Sequence, residues 1–272
     1  MIEVRELQKS FRQGRGRQAR VVRAVDGLSL HAANGRITGL LGPNGAGKTT
    51  TLRIACALIP PDAGTVTVDG VDVARDPAGA LARMGVLSDA RGLYTRLTAR
   101  ENIVYFGRLQ GMTAQAARAR AEELGRTLDM QHLLDRRTEG FSQGERMKTA
   151  LARALIHDPP NILLDEPTNG LDVLATRALR ETLRRLRDEH GKCIVFSTHI
   201  MQEVERLCDE VVIVARGHTV ARGTVPELCA QAGEGDFEEA FVRLAFGEEA
   251  GLDPARQAQD EGSDARARER QA

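Results

Sequence analysis

Apolar and polar positions alternate over residues 1–11 and again over 21–31, which predicts two strands. Between them, residues 12–20 (RQGRGRQAR) are rich in Gly and Arg and read as a solvated hairpin tip. A contact of Arg12, Arg15, Arg17 and Arg20 with lipid headgroups or an acidic loop of a partner is the sharper alternative. Asn34-Gly35 marks a turn, and residues 36–41 (RITGLL) form a short apolar strand. A Gly-rich loop follows, then a helix over about 48–57 that Pro60-Pro61 stops. Residues 65–73 predict a hairpin turning at Asp69-Gly70. From about 89 to 158 the spacing becomes helical, with few strand signals. Short apolar runs at 161–164, 193–197 and 211–215 then predict buried strands. The helix over 172–190 carries Leu174, Ala178, Leu179, Leu183 and Leu186 as one stripe and stops at Gly191, and a further helix covers about 200–208. Phe237–Phe246 predicts a last amphipathic helix, and the tail after about 247 is expected to be disordered because it lacks large apolar residues. Strand-loop-helix segments flanking a helical insertion imply an α/β core with parallel strands and a separate helical lobe.

Composition narrows the function more than the fold. The 272 residues carry 38 basic and 38 acidic side chains, so no global field draws the chain to nucleic acid. Cys56, Cys193, Cys208 and Cys229 are widely spaced and form no metal-binding pattern, which predicts reduced thiols and a cytosolic setting. No apolar run is long enough to cross a bilayer, and the first residues lack the apolar core of a signal peptide. Work at a membrane would therefore go through a partner.

Candidate chemistry starts at residues 42–49, GPNGAGKT, which match G-x-x-x-x-G-K-[ST] between a predicted strand and a predicted helix. Glycines let successive amides turn inward, and a helix N-terminus binds phosphate oxygens through those amides. Lys48 is placed to reach the β- and γ-phosphates and Thr49 to ligate Mg²⁺. The strand of NILLDE ends in Asp165 at the edge of the sheet where α/β proteins bind ligands, so Asp165 is a candidate to hold Mg²⁺ through water. Glu166 beside it is a candidate general base, and His199, just past another apolar strand, a candidate γ-phosphate contact.

The stretch FSQGE, 141–145, needs a different account. Ser142 with Glu145 three residues on is a capping box, and Met147, Ala150, Leu151, Ala154 and Leu155 share one face of the helix it opens. Gly144 in a first helical turn is weakly unfavourable, and it is expected to let a ligand approach the backbone amides. The helix start then forms a second anion site, best used on the γ-phosphate of an ATP held by another subunit.

With these motifs in order, the chain resembles the ATP-binding subunits of ABC transporters over residues 1 to about 225. GPNGAGKTT matches the Walker A motif (Gly42, Pro43, Asn44, Gly45, Ala46, Gly47, Lys48, Thr49, Thr50), ILLDEP the Walker B, and GFSQGERMKTALARAL the signature. NGLD, ending in Asp172, matches the D-loop, and His199 the switch histidine. The wider context is most similar to the sodium-extrusion branch of exporters. The resemblance implies a P-loop NTPase (RecA-like) α/β core with an antiparallel β subdomain, a helical subdomain inserted at about 89–158, and a C-terminal helical extension over 226–247. It implies ATP and Mg²⁺ as cofactors, an integral membrane permease as partner, and a place on the cytoplasmic face of the membrane. It also implies a head-to-tail homodimer in which each ATP lies between one Walker A and the other copy's Ser142, Gln143 and Gly144, with Phe11 stacking on adenine. Two departures stand out. LSGGQ becomes FSQGE, placing Glu145 near an anion site, and Ser88 and Asp89 stand where the family has the Q-loop Gln. The rivals are a soluble ABC-type ATPase of translation or DNA repair and a P-loop kinase or GTPase. The first usually has two cassettes or a long coiled coil, and a GTPase needs an N/T-K-x-D that this sequence lacks.

Overall fold

The computed structural model describes residues 1–14, 20–88 and 92–247. Arg15, Arg17, Asp89 and the tail expected to be disordered lie outside the described residues. Among those described, two sheets carry the fold. One is antiparallel, in the order β2 (Arg20–Ala32), β1 (Ile2–Gln13), β4 (Ala63–Val68), β5 (Val71–Asp72). The β4–β5 turn is Asp69-Gly70, with φ of 48° and 79°, the two left-handed residues a tight hairpin demands.

The second sheet runs β10 (His218–Gly223), β9 (Glu210–Ala215), β3 (Ile37–Leu41), β8 (Cys193–Thr198), β7 (Asn161–Asp165), β6 (Met84–Leu87). Its pairings are parallel except at β10, which runs antiparallel to β9. Every residue of β3, β7 and β8 is buried, which explains their unbroken apolar runs. Register then decides what meets at the C-terminal edge. Leu41 pairs with Thr198 and Asp165 with Ser197, so the glycine loop, the acidic pair and His199 all leave the sheet at one edge.

α1 (Lys48–Ala55) follows β3, and α2 (Pro77–Leu81), capped by Asp76, precedes β6. The helical lobe consists of α3 (Ala99–Leu109), α4 (Ala114–Thr127) and α5 (Gln143–Leu155). Arg100 fastens it by pairing with both Asp135 and Glu122. The predicted face of α5 is buried throughout, and Met147, Leu151 and Leu155 share a core with Ile194 and Phe196 of β8. The lobe is thus packed onto the sheet that carries the site. α6 (Val173–Asp188) and α7 (Met201–Leu207) flank β8, while α8 (Val225–Ala232) and α9 (Phe237–Phe246) cover β9 and β10.

One predicted stripe needs correction. On α6 the buried residues are Leu179, Thr182, Leu183 and Leu186, whereas Leu174 is 77% exposed and Ala178 also faces out. At about 100° per residue, Leu174 sits about 140° around the axis from Leu179 and cannot share its face.

A half-buried histidine follows the helical lobe. His157 follows α5 and lies beside the Met84 backbone. Burial lowers its pKa, opposed by the Met84 backbone and Asp158 and reinforced by Lys192. The unfolded chain therefore binds a proton that the folded chain resists. Stability conferred by neutral His157 is present above the ordinary histidine value of about 6.5 and declines as pH falls below it. Denaturation midpoints should drop from pH 7 to 5.5 more in the parent than in His157→Leu; equal drops would refute this.

Candidate functional site

The glycine loop is shaped by close backbone approaches. A Cβ on Gly42 would lie 2.2 Å from the Val214 carbonyl oxygen, and one on Gly47, at φ 104°, 2.5 Å from that of Ala24. Neither position admits a side chain. Gly47 caps α1 in the left-handed conformation, so Lys48 and Thr49 open the helix with amides that have no partner within it. Asn44 and Gly45 are exposed at the loop's outer turn.

Lys48 is 4% exposed, and its ammonium donates to the carbonyls of Gly42 at 2.6 Å and Pro43 at 3.1 Å. Burial lowers its pKa, while Glu166 and Asp165 oppose the shift. Glu166 Oε1 lies 3.8 Å from Lys48 Nζ and 3.3 Å from His199 Nδ1. Thr49 Oγ1 is 3.3 Å from Asp165 Oδ1. Five residues chosen from the sequence (Lys48, Thr49, Asp165, Glu166, His199) thus converge. A buried cation faces two carboxylates, with a hydroxyl on one of them and an imidazole on the other.

Two residues complete this cluster: Asn169, which the sequence places in the NGLD match with no role assigned, and Ser197, which the sequence does not single out. Asn169 Nδ2 donates to Glu166 Oε2 at 2.6 Å. Ser197 Oγ donates to Asp165 Oδ1 at 2.6 Å and accepts from the Glu166 N–H at 3.0 Å. Glu166 itself has φ 45°, a left-handed conformation that costs a non-glycine residue on the order of 1–3 kcal/mol. Strain of this kind concentrates at working sites, where the surroundings hold a side chain in a fixed direction. Here that direction keeps one carboxylate oxygen on Asn169 and presents the other to Lys48 and His199. Such a carboxylate can take a proton from a water set against it.

The helix start forms a second station. Ser142 accepts from the Glu145 N–H at 3.2 Å, and Glu145 accepts from the Ser142 N–H at 2.8 Å, the predicted capping box. Arg136 pairs with Glu145 at 2.9 Å, and Glu145's pKa is lowered first by the Ser142 backbone bond and then by Arg136. The extra negative charge of FSQGE is therefore matched by a cation. Gly144 also has a packing reason, since a Cβ there would lie 3.1 Å from that of Ala175 on α6. Asp172 caps α6 by accepting from the Ala175 N–H at 2.7 Å. A cavity of about 440 Å³ lies beside the helix start, lined in part by Gln143, Arg146 and Asn169.

Phe11 stands apart from both. β4 pairs with β1 only as far as Gln8, so residues 9–13 and 20–25 continue as a two-stranded ribbon. On it Phe11 is 40% exposed, with the Lys9 ammonium 5.8 Å above the ring. It is not a core residue, and its ring is open to a planar partner.

Comparisons with known proteins bear on the family and the fold. A family profile described as ABC transporter matches residues 25–169. The chain is 43% identical over 243 residues to the ABC transporter ATP-binding protein NatA of Bacillus subtilis (strain 168), covering 89% of this chain and 97% of that protein. It is 42% identical over 217 residues to the Nod factor export ATP-binding protein I of Paraburkholderia xenovorans (strain LB400), covering 80% and 71%. Among solved structures, an ATP-binding subunit of an ABC transporter superposes with a TM-score of 0.76 at 29% identity, covering 89% of this chain and 98% of that one. A dimeric bacterial ABC transporter cassette gives 0.73 at 25% identity, covering 82% and 98%.

Proposed function

Because the chain belongs to the ABC transporter family, as an ATP-binding and ATP-hydrolysing subunit of the exporter type, we propose that two copies bind head to tail around two ATP molecules and drive a separate membrane permease. The observation that carries the site assignment is the Glu166 carboxylate, held by Asn169 and turned toward Lys48 and His199, directly after Asp165. The loop 42–50 cradles the phosphates, and Phe11 stacks on adenine. Lys48 exchanges its loop carbonyls for the terminal phosphates. Glu166 takes the proton of the attacking water, and His199 donates to the γ-phosphate. Ser142, Gln143 and Gly144 of the second copy close the site from the other side, with Asp172 at the junction.

Thr49 and Asp165 supply hard oxygen donors 3.3 Å apart, a set that suits Mg²⁺. When bound there, Mg²⁺ neutralises charge developing on the transferred phosphoryl group. The protein's own contribution is positional, since a preorganised donor or base is worth about 10²–10³ in rate.

In domain terms, residues 1–225 form the ATPase unit, the insertion at about 89–158 its helical lobe, and 226–247 an extension. Among the described residues no helix is long and apolar enough to cross a membrane, so attachment to the cytoplasmic face runs through the permease. Exposed Tyr94, Tyr105 and Leu109 on and beside α3 offer that partner an apolar surface. The cargo is chosen by the permease, and sodium ion is the first to test. The assignment is checked by fractionating cells that make the tagged chain. Recovery with an integral membrane protein is expected, and recovery with ribosomes or DNA would favour the soluble ATPase instead.

A further inference from the structure

β8 is apolar from Cys193 through Phe196, and Ser197 interrupts it where exposure is still 0%. A buried hydroxyl is costly unless its hydrogen-bonding capacity is used. Here both directions are used, and both go to the acidic pair. The hydroxyl donates to Asp165 Oδ1 at 2.6 Å and accepts from the Glu166 N–H at 3.0 Å. The parallel register that pairs Asp165 with Ser197 fixes this approach through the backbone. Thr49 Oγ1 reaches the same Asp165 oxygen from the opposite element, at 3.3 Å.

We infer that Ser197 is a positioning residue for ATP hydrolysis: one hydroxyl sets the carboxylate plane of Asp165 for the metal and holds the Glu166 backbone in the conformation that aims the base. The inference rests on the proposed roles of Asp165 and Glu166. Donation to Oδ1 fixes rotation about the Asp165 side chain and leaves Oδ2 without that claim on it. The Glu166 N–H is shared between this hydroxyl at 3.0 Å and the Ser197 carbonyl at 3.2 Å, so the hydroxyl is one of two restraints that hold the residue at φ 45°, where a free residue would relax toward negative φ. Removing the hydroxyl frees the Asp165 carboxylate and leaves the Glu166 N–H with only its bond to the Ser197 carbonyl at 3.2 Å, without touching the proposed phosphate contacts.

The test is Ser197→Ala in the full chain, with Mg²⁺ titrated against binding of a fluorescent ATP analogue and, separately, against turnover. Loss of an outer-shell partner typically weakens a metal site by about 10- to 100-fold. Half-saturation by Mg²⁺ is expected to rise about tenfold in the binding assay, with kcat about tenfold lower and KM for ATP at saturating Mg²⁺ nearly unchanged. Binding of the analogue without metal should match the parent. Ser197→Thr, which keeps the hydroxyl, is expected to restore the Mg²⁺ response, and the near-isosteric Ser197→Cys to fall between. An Ala variant of parental melting temperature with an unchanged Mg²⁺ titration overturns the inference, as does one that loses metal-free binding and thermal stability together. The base assignment fails separately: a Glu166→Gln chain with parental turnover removes the base yet leaves the metal shift of Ser197→Ala in place.

Discussion

Glu166→Gln is expected to bind ATP as the parent does, to turn over at least about a hundredfold more slowly, and to accumulate as an ATP-bound dimer. The substitution changes charge and proton affinity while keeping size. Asn169 donates to Oε2 at 2.6 Å, so the new amide must turn its oxygen to Asn169 and its NH₂ toward Lys48 and His199. An NH₂ group can neither accept a proton from water nor oppose the Lys48 charge. ATP binding is expected to survive because its proposed contacts are the loop amides, Lys48 and Phe11, and the phosphates would then balance the ammonium. Closure is expected to survive too, because in the proposed dimer the second copy grips the γ-phosphate. Single-turnover hydrolysis and size-exclusion chromatography in ATP measure the two halves of this result. Parental hydrolysis by the Gln variant would remove Glu166 from its role.

What could be read from the sequence was whatever is local along the chain. The match to a phosphate loop occupies contiguous residues, and the periodicity of residues 237–246 marks α9 to the residue. Side-chain partnerships between distant segments were not legible. Ser197 looked like the end of an apolar strand until register paired it with Asp165, and the Arg136 pairing of Glu145 depends on how the segment before α5 folds back. One usable signal existed for Ser197, a lone hydroxyl in a run otherwise suited to full burial. β10 escaped because only Ala221 of its residues is buried, so an edge strand leaves little apolar pattern. The extra residues on the α6 stripe show the converse error, in which apolar type is mistaken for apolar position.

A Ser142→Arg chain is expected to bind ATP normally as a monomer, to fail to dimerise in ATP, and to lose nearly all turnover. Ser142 is exposed at the start of α5, and its contacts run to Glu145 rather than to its own phosphate loop. Losing the cap costs about 1 kcal/mol, which a helix buried along Met147, Leu151 and Leu155 tolerates. In the proposed dimer, the arginine would block the approach of a second molecule's phosphate to the first-turn amides. Mixing separates this from simple damage. Lys48→Ala breaks the loop half of the site and spares the helix half, so a mixed pair holds one intact site, made from the loop of the Ser142→Arg chain and the helix of the Lys48→Ala chain. With random pairing about half the dimers are mixed and each has one working site of two, so the mixture should recover about a quarter of parental turnover although neither chain works alone. A Ser142→Arg chain that hydrolyses ATP at the parental rate while monomeric would mean that each ATP is processed within one copy. The shared site would then have to be given up, although Glu166 could keep its role.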